Sequence, residues 1–289
     1  VTLGGAASSF GGTYPVFTGQ PIVLVSNDMA DPVTGILAGL AEGATIPNFI
    51  GSGLPAQISY TGGDGNDVVL TILGVSVVGP NLVIESPSGS GTSNDSVTLV
   101  INGPNLRLSD PNNPLFAGPG AVQIDPNTIE IPLASLTGSI VFQGTGGDDV
   151  LTLDFTAGNP VPPGGITFNG GSGNDGLRVV GNGQTVVYSP DMVTNGNGTI
   201  TVGGSTVVFT GLEPVDFVGV ALTLSLPGAN DVVDLANGFL IDGTTPATVI
   251  SGTSGGVGFE NARVRSSSIV IDTTGVAGTD TITLTSMDN

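Results

Sequence analysis

A turn followed by an alternating strand recurs along the chain and constrains the fold more than any other feature of the sequence. In its clearest form, residues 61–72 read TGGDGNDVVLTI, a turn of Gly, Asp and Asn that leads into a strand. Gly permits positive φ at such a turn, and Asn or Asp can hydrogen-bond to the backbone there. An acidic turn residue followed by alternating apolar positions occurs at six places, namely Asp67, Asp95, Asp149, Asp175, Asp231 and Asp280.

The spacing of these aspartates predicts a repeating unit. Successive gaps are 28, 54, 26, 56 and 49 residues, near one or two multiples of about 27. Gly-rich turn-strand segments near Val122, Gly198 and Gly256 fall at the skipped positions. Repetition at 20 to 50 residues is typical of solenoids, in which each rung covers the edges of its neighbour. We therefore predict an all-β fold, a parallel β-helix (β-solenoid) with rungs of about 27 residues.

A longer period leaves a second architecture open. Asp67, Asp149 and Asp231 are each 82 residues apart. Tandem β-sandwich domains of about 82 residues would produce the same period. We favour the solenoid because the shorter period is visible inside the longer one.

The charge of the chain excludes two classes of partner. Asp and Glu number 24 against four Arg, with no Lys or His, which gives a net charge of −20. Such a charge repels phosphate backbones, so we predict no nucleic-acid binding, and it removes polybasic attraction to anionic membranes. In the least charged stretch, residues 68–84, apolar residues are interrupted by Thr, Ser and Gly, and the stretch contains Pro80, so we predict no membrane span. Divalent cations are the natural partners of such a surface.

Two stretches resemble a known family. VLVSNDMADPVTGILAGLAEGATI (residues 23–46) and ISYTGGDGNDVVLTI (residues 58–72) are similar to the repeats of secreted bacterial passenger domains, the autotransporter-associated β-strand repeats and their relatives in very large surface proteins. The chain departs from the usual repeat at Met29, Leu37 and Ala41, where Gly, Phe and Pro are common. The resemblance implies a secreted, cell-surface β-helix passenger or stalk and implies no catalytic centre.

The resemblance also suggests how the chain is divided. The close match covers about residues 15–72, and the remainder resembles the Gly-Asn-Asp-rich repeats often found beside it. We therefore predict a passenger-type module at residues 1–74 and continuing solenoid repeats at residues 75–289, or one continuous domain over residues 1–289. Residues 26–46 interrupt the pattern and are expected to form a loop or a single helical turn on the side of the first module, because Gly35 and Gly39 weaken a helix.

The acidic turns are candidate calcium sites. Residues 61–72 fit the pattern G-G-x-G-x-D-x-U-x, with U a large apolar residue, of calcium-binding β-roll repeats in secreted toxins. Calcium prefers six to eight oxygen ligands, which two neighbouring rungs could supply together. The predicted ligands form two sets, Asp64, Asn66 and Asp67 with Asn94 and Asp95, and Asp148 and Asp149 with Asn174 and Asp175. The alternative is that each Asn-Asp pair only caps a corner through local hydrogen bonds.

The function predicted from these features is mechanical. The chain begins in a strand and ends soon after one, without a polar cap, which indicates end-to-end contact with another copy or continuation in a longer chain. An adhesin passenger with a cell-surface or polysaccharide ligand is the alternative. A polysaccharide-active enzyme using Asp148 and Asp149 as paired carboxylates is less favoured, because the chain lacks His, Lys and Trp. We therefore predict an extracellular structural protein, a stalk, fibre or surface-layer segment, that is not an enzyme.

Overall fold

The structure is a computed structural model that describes residues 1–12, 16, 20–27, 31–46, 49–51, 54–85, 93–266 and 268–286. Over these residues the fold is all-β, as predicted, with strands numbered β1 to β25 in chain order. Helical structure in this part of the chain consists of two short 3-10 turns, η1 at Phe49–Gly51 and η2 at Leu133–Ser135. No helix among the described residues has the length and apolar character needed to cross a bilayer.

The first four strands form a small antiparallel sheet. They are β1 (Pro21–Val25), β2 (Thr45–Ile46), β3 (Ala56–Gly62) and β4 (Asp67–Ile72), and their order in the sheet is β1-β4-β3-β2. The sheet packs its own apolar cluster, which includes Phe49, Ile58 and Leu70. Residues 31–44, within the predicted side loop, hold turns and isolated bridges but no helical turn, and β2 follows them. Residues 28–30, which include Met29, lie outside the described residues.

The remaining strands form two larger sheets. They are β5 (Val75–Val78), β6 (Asn81–Glu85), β7 (Ser96–Asn102), β8 (Asn105–Ser109), β9 (Val122–Asp125), β10 (Thr128–Pro132), β11 (Ile140–Gln143), β12 (Val150–Asp154), β13 (Ile166–Asn169), β14 (Gly176–Val180), β15 (Thr185–Pro190), β16 (Gly198–Val202), β17 (Ser205–Thr210), β18 (Val215–Val218), β19 (Ala221–Ser225), β20 (Val232–Phe239), β21 (Pro246–Ser254), β22 (Val257–Gly258), β23 (Ala262–Arg265), β24 (Ser268–Asp272) and β25 (Thr281–Leu284). The twelve-stranded sheet has the order β25-β20-β21-β23-β18-β14-β12-β7-β8-β10-β9, with β22 beside β21. The nine-stranded sheet has the order β24-β19-β15-β16-β17-β13-β11-β6-β5.

Parallel strands stack in register at the centre of both sheets. In the twelve-stranded sheet, β7, β12, β14, β18 and β23 are parallel, and inward side chains line up across them, as Val97, Leu151, Leu177, Val215 and Ala262 do. In the nine-stranded sheet, β6, β11, β13 and β17 stack in the same way. Because side chains alternate along a strand, every second residue enters one shared apolar cluster that extends from Val75 to Val264.

Aromatic side chains stack inside this cluster. Phe142, Phe168 and Phe209 occupy the same register position on β11, β13 and β17. The rings of Phe142 and Phe168 meet edge to face, with centroids 5.0 Å apart, a favourable aromatic geometry. The repeated pattern of the sequence thus becomes columns of like residues in the core.

The length of chain between stacked strands is not uniform. The corner residues Asp149 and Asp175, which precede β12 and β14, are 26 residues apart, close to the predicted 27. Asp95 and Asp149, which precede β7 and β12, are 54 residues apart although these strands are direct neighbours. Arg178 and Asp216, on the neighbouring strands β14 and β18, are 38 residues apart. The predicted constant rung of about 27 residues therefore describes one step and is wrong for the others.

Antiparallel excursions account for the extra length. The segments near Val122, Gly198 and Gly256 were expected to be further parallel rungs, but they belong to antiparallel pairs that involve β9, β16 and β22. Gly203 and Gly204 both have positive φ, and so do Gly255 and Gly256, which is the requirement of a two-residue hairpin turn. Such a turn returns the chain beside the strand just completed, so the pairing must be antiparallel.

The 82-residue spacing does not mark separate structural units in the described part of the chain. Asp67 begins a strand of the small sheet, whereas Asp149 and Asp231 precede β12 and β20 of the twelve-stranded sheet. Strands from β5 onward contribute to two sheets that share one apolar cluster. The small sheet has a second cluster, which extends from Val16 to Ile72.

Candidate functional site

Six of the nine residues predicted to bind calcium are brought together. Asn94-Asp95, Asp148-Asp149 and Asn174-Asp175 immediately precede β7, β12 and β14, which are neighbouring parallel strands. Because parallel strands begin at the same edge of a sheet, these three pairs form a column of corners. Asp64, Asn66 and Asp67 lie instead at the β3–β4 turn and the start of β4 in the small sheet, where Asp67 Oδ1 accepts the backbone N–H of Asn27 at 2.8 Å.

Each corner is joined to the next by two hydrogen bonds that run in opposite directions. The N–H of Asp148 donates to Asn94 Oδ1 at 2.9 Å, and the N–H of Asp95 donates to Asp149 Oδ1 at 2.8 Å. The same pair of bonds recurs one strand further on. There the N–H of Asn174 donates to Asp148 Oδ1 at 2.9 Å, and the N–H of Asp149 donates to Asp175 Oδ1 at 2.8 Å. We call this reciprocal pair of bonds a corner clamp.

A second column, at the start of β20 and β25, uses the same clamp. The N–H of Thr279 donates to Asn230 Oδ1 at 2.9 Å, and the N–H of Asp231 donates to Asp280 Oδ1 at 3.0 Å. In this column the two corners are 49 residues apart. The clamp therefore recurs in two columns and does not depend on the length of the intervening chain.

Side chains from the loop after β8 close the first column at its β7 end. Asn113 Nδ2 donates to the carbonyl oxygen of Asn94 at 2.7 Å, and the buried Asp110 accepts the N–H of Ser96 through Oδ2 at 2.8 Å. These bonds satisfy groups that another corner would otherwise occupy. Asp110 and Asn113 were not predicted from the sequence, although SDPNN (residues 109–113) is a recognisable turn sequence.

Four aspartates at the clamped corners are buried, whereas Asp148 and Asp280 are exposed. Asp95, Asp149, Asp175 and Asp231 have no exposed surface. Burial, reinforced by the charges of Asp95, Asp175 and Asp148, raises the pKa of Asp149 to about 8, although the N–H of Asp95 opposes the rise. Burial and the nearby charges of Glu213 and Asp148 also raise the pKa of Asp175. A protonated Asp149 relieves the repulsion between stacked carboxyl groups at neutral pH.

Close packing surrounds the second oxygen of two of these carboxyl groups. Oδ2 of Asp149 and Oδ2 of Asp175 are buried without a hydrogen-bond partner among the described residues. Each lies against a glycine, because a Cβ added to Gly144 would stand 2.4 Å from Asp149 Oδ2, and one added to Gly170 would stand 2.6 Å from Asp175 Oδ2. Glycine is therefore required at these positions to admit the aspartate.

Burial and hydrogen bonding limit the metal binding and the catalysis that the column of corners could support. The Oδ1 atoms of Asn94, Asp148, Asp149 and Asp175 already accept backbone N–H groups, which leaves few oxygens for the six to eight ligands of calcium. Among the described residues, no three acidic side chains are grouped so as to hold a metal ion. Calcium at Asp64, Asn66, Asp67, Asn94, Asp95, Asp148, Asp149, Asn174 and Asp175 stays a prediction. The burial of Asp149 argues against its acting as a general acid on a polysaccharide.

The column continues beyond the residues identified from the sequence. The N–H of Glu213 donates to the carbonyl oxygen of Asp175 at 2.6 Å, and the N–H of Val215 donates to the carbonyl oxygen of Asn261 at 3.1 Å. Glu213 and the Glu260-Asn261 pair therefore occupy corners before β18 and β23. These corners were not predicted from the sequence, because neither contains the Asn-Asp pair that marks the other corners.

Comparison with known proteins adds no further assignment. No family model, no curated protein and no solved structure matches the chain. The resemblance to bacterial passenger repeats therefore stays a prediction from the sequence.

Proposed function

We propose that the chain is an extracellular structural segment of a stalk, fibre or surface layer, built as a β-solenoid with coils of unequal length. The corner clamp is the observation that carries this proposal, because it uses acidic side chains to join neighbouring strands. Stacks of parallel strands in register, connected by excursions of different length, are consistent with a solenoid. The resemblance to secreted passenger repeats supports a location at the cell surface.

The edges of the sheets support self-association. β25 is an edge of the twelve-stranded sheet and is exposed along its whole length, with Ile282 and Leu284 54% and 63% exposed. One edge of the nine-stranded sheet, β24, leaves Val270 50% exposed. We call β24 and β25 the open end. Exposed apolar edge strands are templates for pairing with another chain.

The other edge of the nine-stranded sheet differs from the open end. There the segment at residues 116–121 runs along β5, with Val77 N–H donating to the carbonyl oxygen of Pro119 at 2.8 Å and Gly118 N–H donating to that of Val75 at 2.6 Å. The chain thus covers one edge of this sheet itself. We propose that the open end takes a further coil, either from a second copy or from a continuing chain.

Analytical ultracentrifugation and electron microscopy test this assignment. We expect concentration-dependent association of the chain into elongated particles, and we expect the double variant Ile282→Lys/Leu284→Lys to be monomeric, because charges on an edge strand oppose pairing. Val193→Lys, in the loop between β15 and β16, is the matched control because Val193 is also exposed. A chain that stays monomeric at high concentration, or a control that dissociates equally, would contradict assembly through the open end.

A further inference from the structure

The corners of β12, β14, β18 and β23 line a cavity of about 600 Å³. Its polar lining comes from successive corners of the column. These residues are Asp148, Asn174, Glu213, Glu260, Asn261 and, from β23 itself, Arg263. Its volume lies in the range usual for small-molecule sites and is much larger than a single ion needs.

The lining carries an excess of negative charge. Three carboxyl groups, those of Asp148, Glu213 and Glu260, face a single guanidinium group, that of Arg263. Within the described residues Arg263 forms no ion pair at 4 Å or less, so it does not neutralise any of the three directly. The cavity therefore favours a positively charged occupant.

Glu260 provides an independent indication of a ligand. It is only 6% exposed, yet it lines the cavity. In the described part of the chain its carboxylate accepts one hydrogen bond, from the N–H of Asn261 at 2.9 Å. Burial, together with the charge of Glu213, raises the pKa of Glu260 to about 7. A buried carboxylate ordinarily has several hydrogen-bond donors or a cation in direct contact. Among the described residues Glu260 has one donor and no ion pair at 4 Å or less, and the charge of Arg263 only partly opposes the rise in its pKa.

The remaining wall distinguishes an organic cation from a metal ion. Besides its carboxyl groups, the cavity has an apolar lining that consists of Val150, Pro214 and Ile241. No three acidic groups among the described residues are arranged as metal ligands. The chain contains no Lys, so a second copy could not supply an ammonium group from a side chain.

We propose that this cavity binds a primary ammonium group carried on a short apolar body, with Glu260 and Glu213 as its carboxylate partners. A free alkylamine and the lysine side chain of a different protein share this chemistry. The proposal is independent of self-association, since none of the residues named belongs to the open end.

Calorimetric and NMR titration of the whole chain test the proposal. With n-butylammonium chloride we expect saturable binding with a Kd on the order of 1 mM, and with n-butanol, which has the same apolar body without the charge, we expect none. Glu260→Gln and Glu213→Gln should each weaken binding by about tenfold, and their circular dichroism should match the unmodified chain. Nα-acetyl-lysine amide in place of the alkylamine tells whether a lysine side chain is also accepted.

The controls separate a specific site from general attraction to an acidic protein. Asp125→Asn removes a charge at an exposed turn outside the cavity and should leave the affinity unchanged. An equal loss on Asp125→Asn, or no saturable binding of n-butylammonium, would overturn the proposal. Tight saturable binding of calcium chloride that Glu260→Gln abolishes would also overturn it and would identify a metal site instead.

Discussion

Replacing Asp149 by Asn should change how the stability of the chain depends on pH. The folded protein raises the pKa of Asp149 from 3.8 to about 8, chiefly by burial. Between these values the folded protein holds a proton that the unfolded chain has released, so the free energy of unfolding falls as the pH rises. The stabilising contribution is fully present below about pH 4 and is lost as the pH rises through about 8.

The size of the effect follows from the corner geometry. At about 1.4 kcal/mol per pH unit, the whole difference would correspond to roughly 6 kcal/mol. Water entry and local relaxation at a corner screen a carboxylate more than a dry core would, so we expect about 2 kcal/mol. Burial also raises the pKa of Asp175 and of Glu260, so their contributions have the same sign. Hydrogen bonds lower the pKa of Asp242, whose contribution is lost only in acid.

Urea denaturation followed by far-ultraviolet circular dichroism measures this dependence. The unmodified chain should lose about 2 kcal/mol between about pH 5 and pH 8.5, and Asp149→Asn should lose much less. Asn keeps the Oδ1 that accepts the N–H of Asp95, so the variant should be the more stable protein at the higher pH. Asp125→Asn controls for the change in net charge. Equal slopes for Asp149→Asn and the unmodified chain, or a variant destabilised at pH 8.5, would refute the reasoning.

Two further predictions concern the corners. Asn94→Ala removes one acceptor of a clamp and should lower the free energy of unfolding by about 1 kcal/mol in urea denaturation. Asn174→Ala is the control, because the Asn174 side chain makes no hydrogen bond among the described residues, and it should change the free energy of unfolding by less than about 0.5 kcal/mol. Equal losses in the two variants would show that the clamp hydrogen bond does not contribute to stability. Gly173 has positive φ, and a Cβ added there by Gly173→Ala would stand 1.9 Å from the backbone oxygen of Gly147, so this variant should lower the free energy of unfolding by more than about 3 kcal/mol in thermal melting. Gly183 also has positive φ but faces open space, so Gly183→Ala should lower it by only about 1 kcal/mol. A mild Gly173→Ala variant would contradict the close approach.

The sequence was sufficient to predict several of the strands and three of the five corners of the first column. Alternation of apolar residues identifies β7, β12 and β14, because a half-buried strand must alternate. The spacing of Asp149 and Asp175 correctly predicts that they are neighbours, since only β12, β13 and their connecting turns lie between them. The direction of the hydrogen bonds could not be predicted, because it depends on the relative height of two corners that are distant in sequence.

Spacing alone misled at two other points. Asp67 and Asp95 are separated by almost the same number of residues as Asp149 and Asp175, but β4 pairs antiparallel with β1 and β3 and belongs to another sheet. Asp175 and Asp231 look like two rungs apart, yet they stand in different columns, and Glu213 takes the place beside Asp175. Pairing partners are chosen by turn geometry and core packing, and a count of residues between acids contains neither.

The corner clamp makes the stacking of the parallel strands independent of the length of the segments that connect them. Corners that are 26, 49 and 54 residues apart in sequence form the same two hydrogen bonds. Clamp formation therefore depends on the relative position of the two strands and not on the length of chain that connects them. Segments inserted between corners can therefore grow or change while the stacked strands keep their register. Such a design lets new surface loops, and with them new binding properties, be added to an unchanged support.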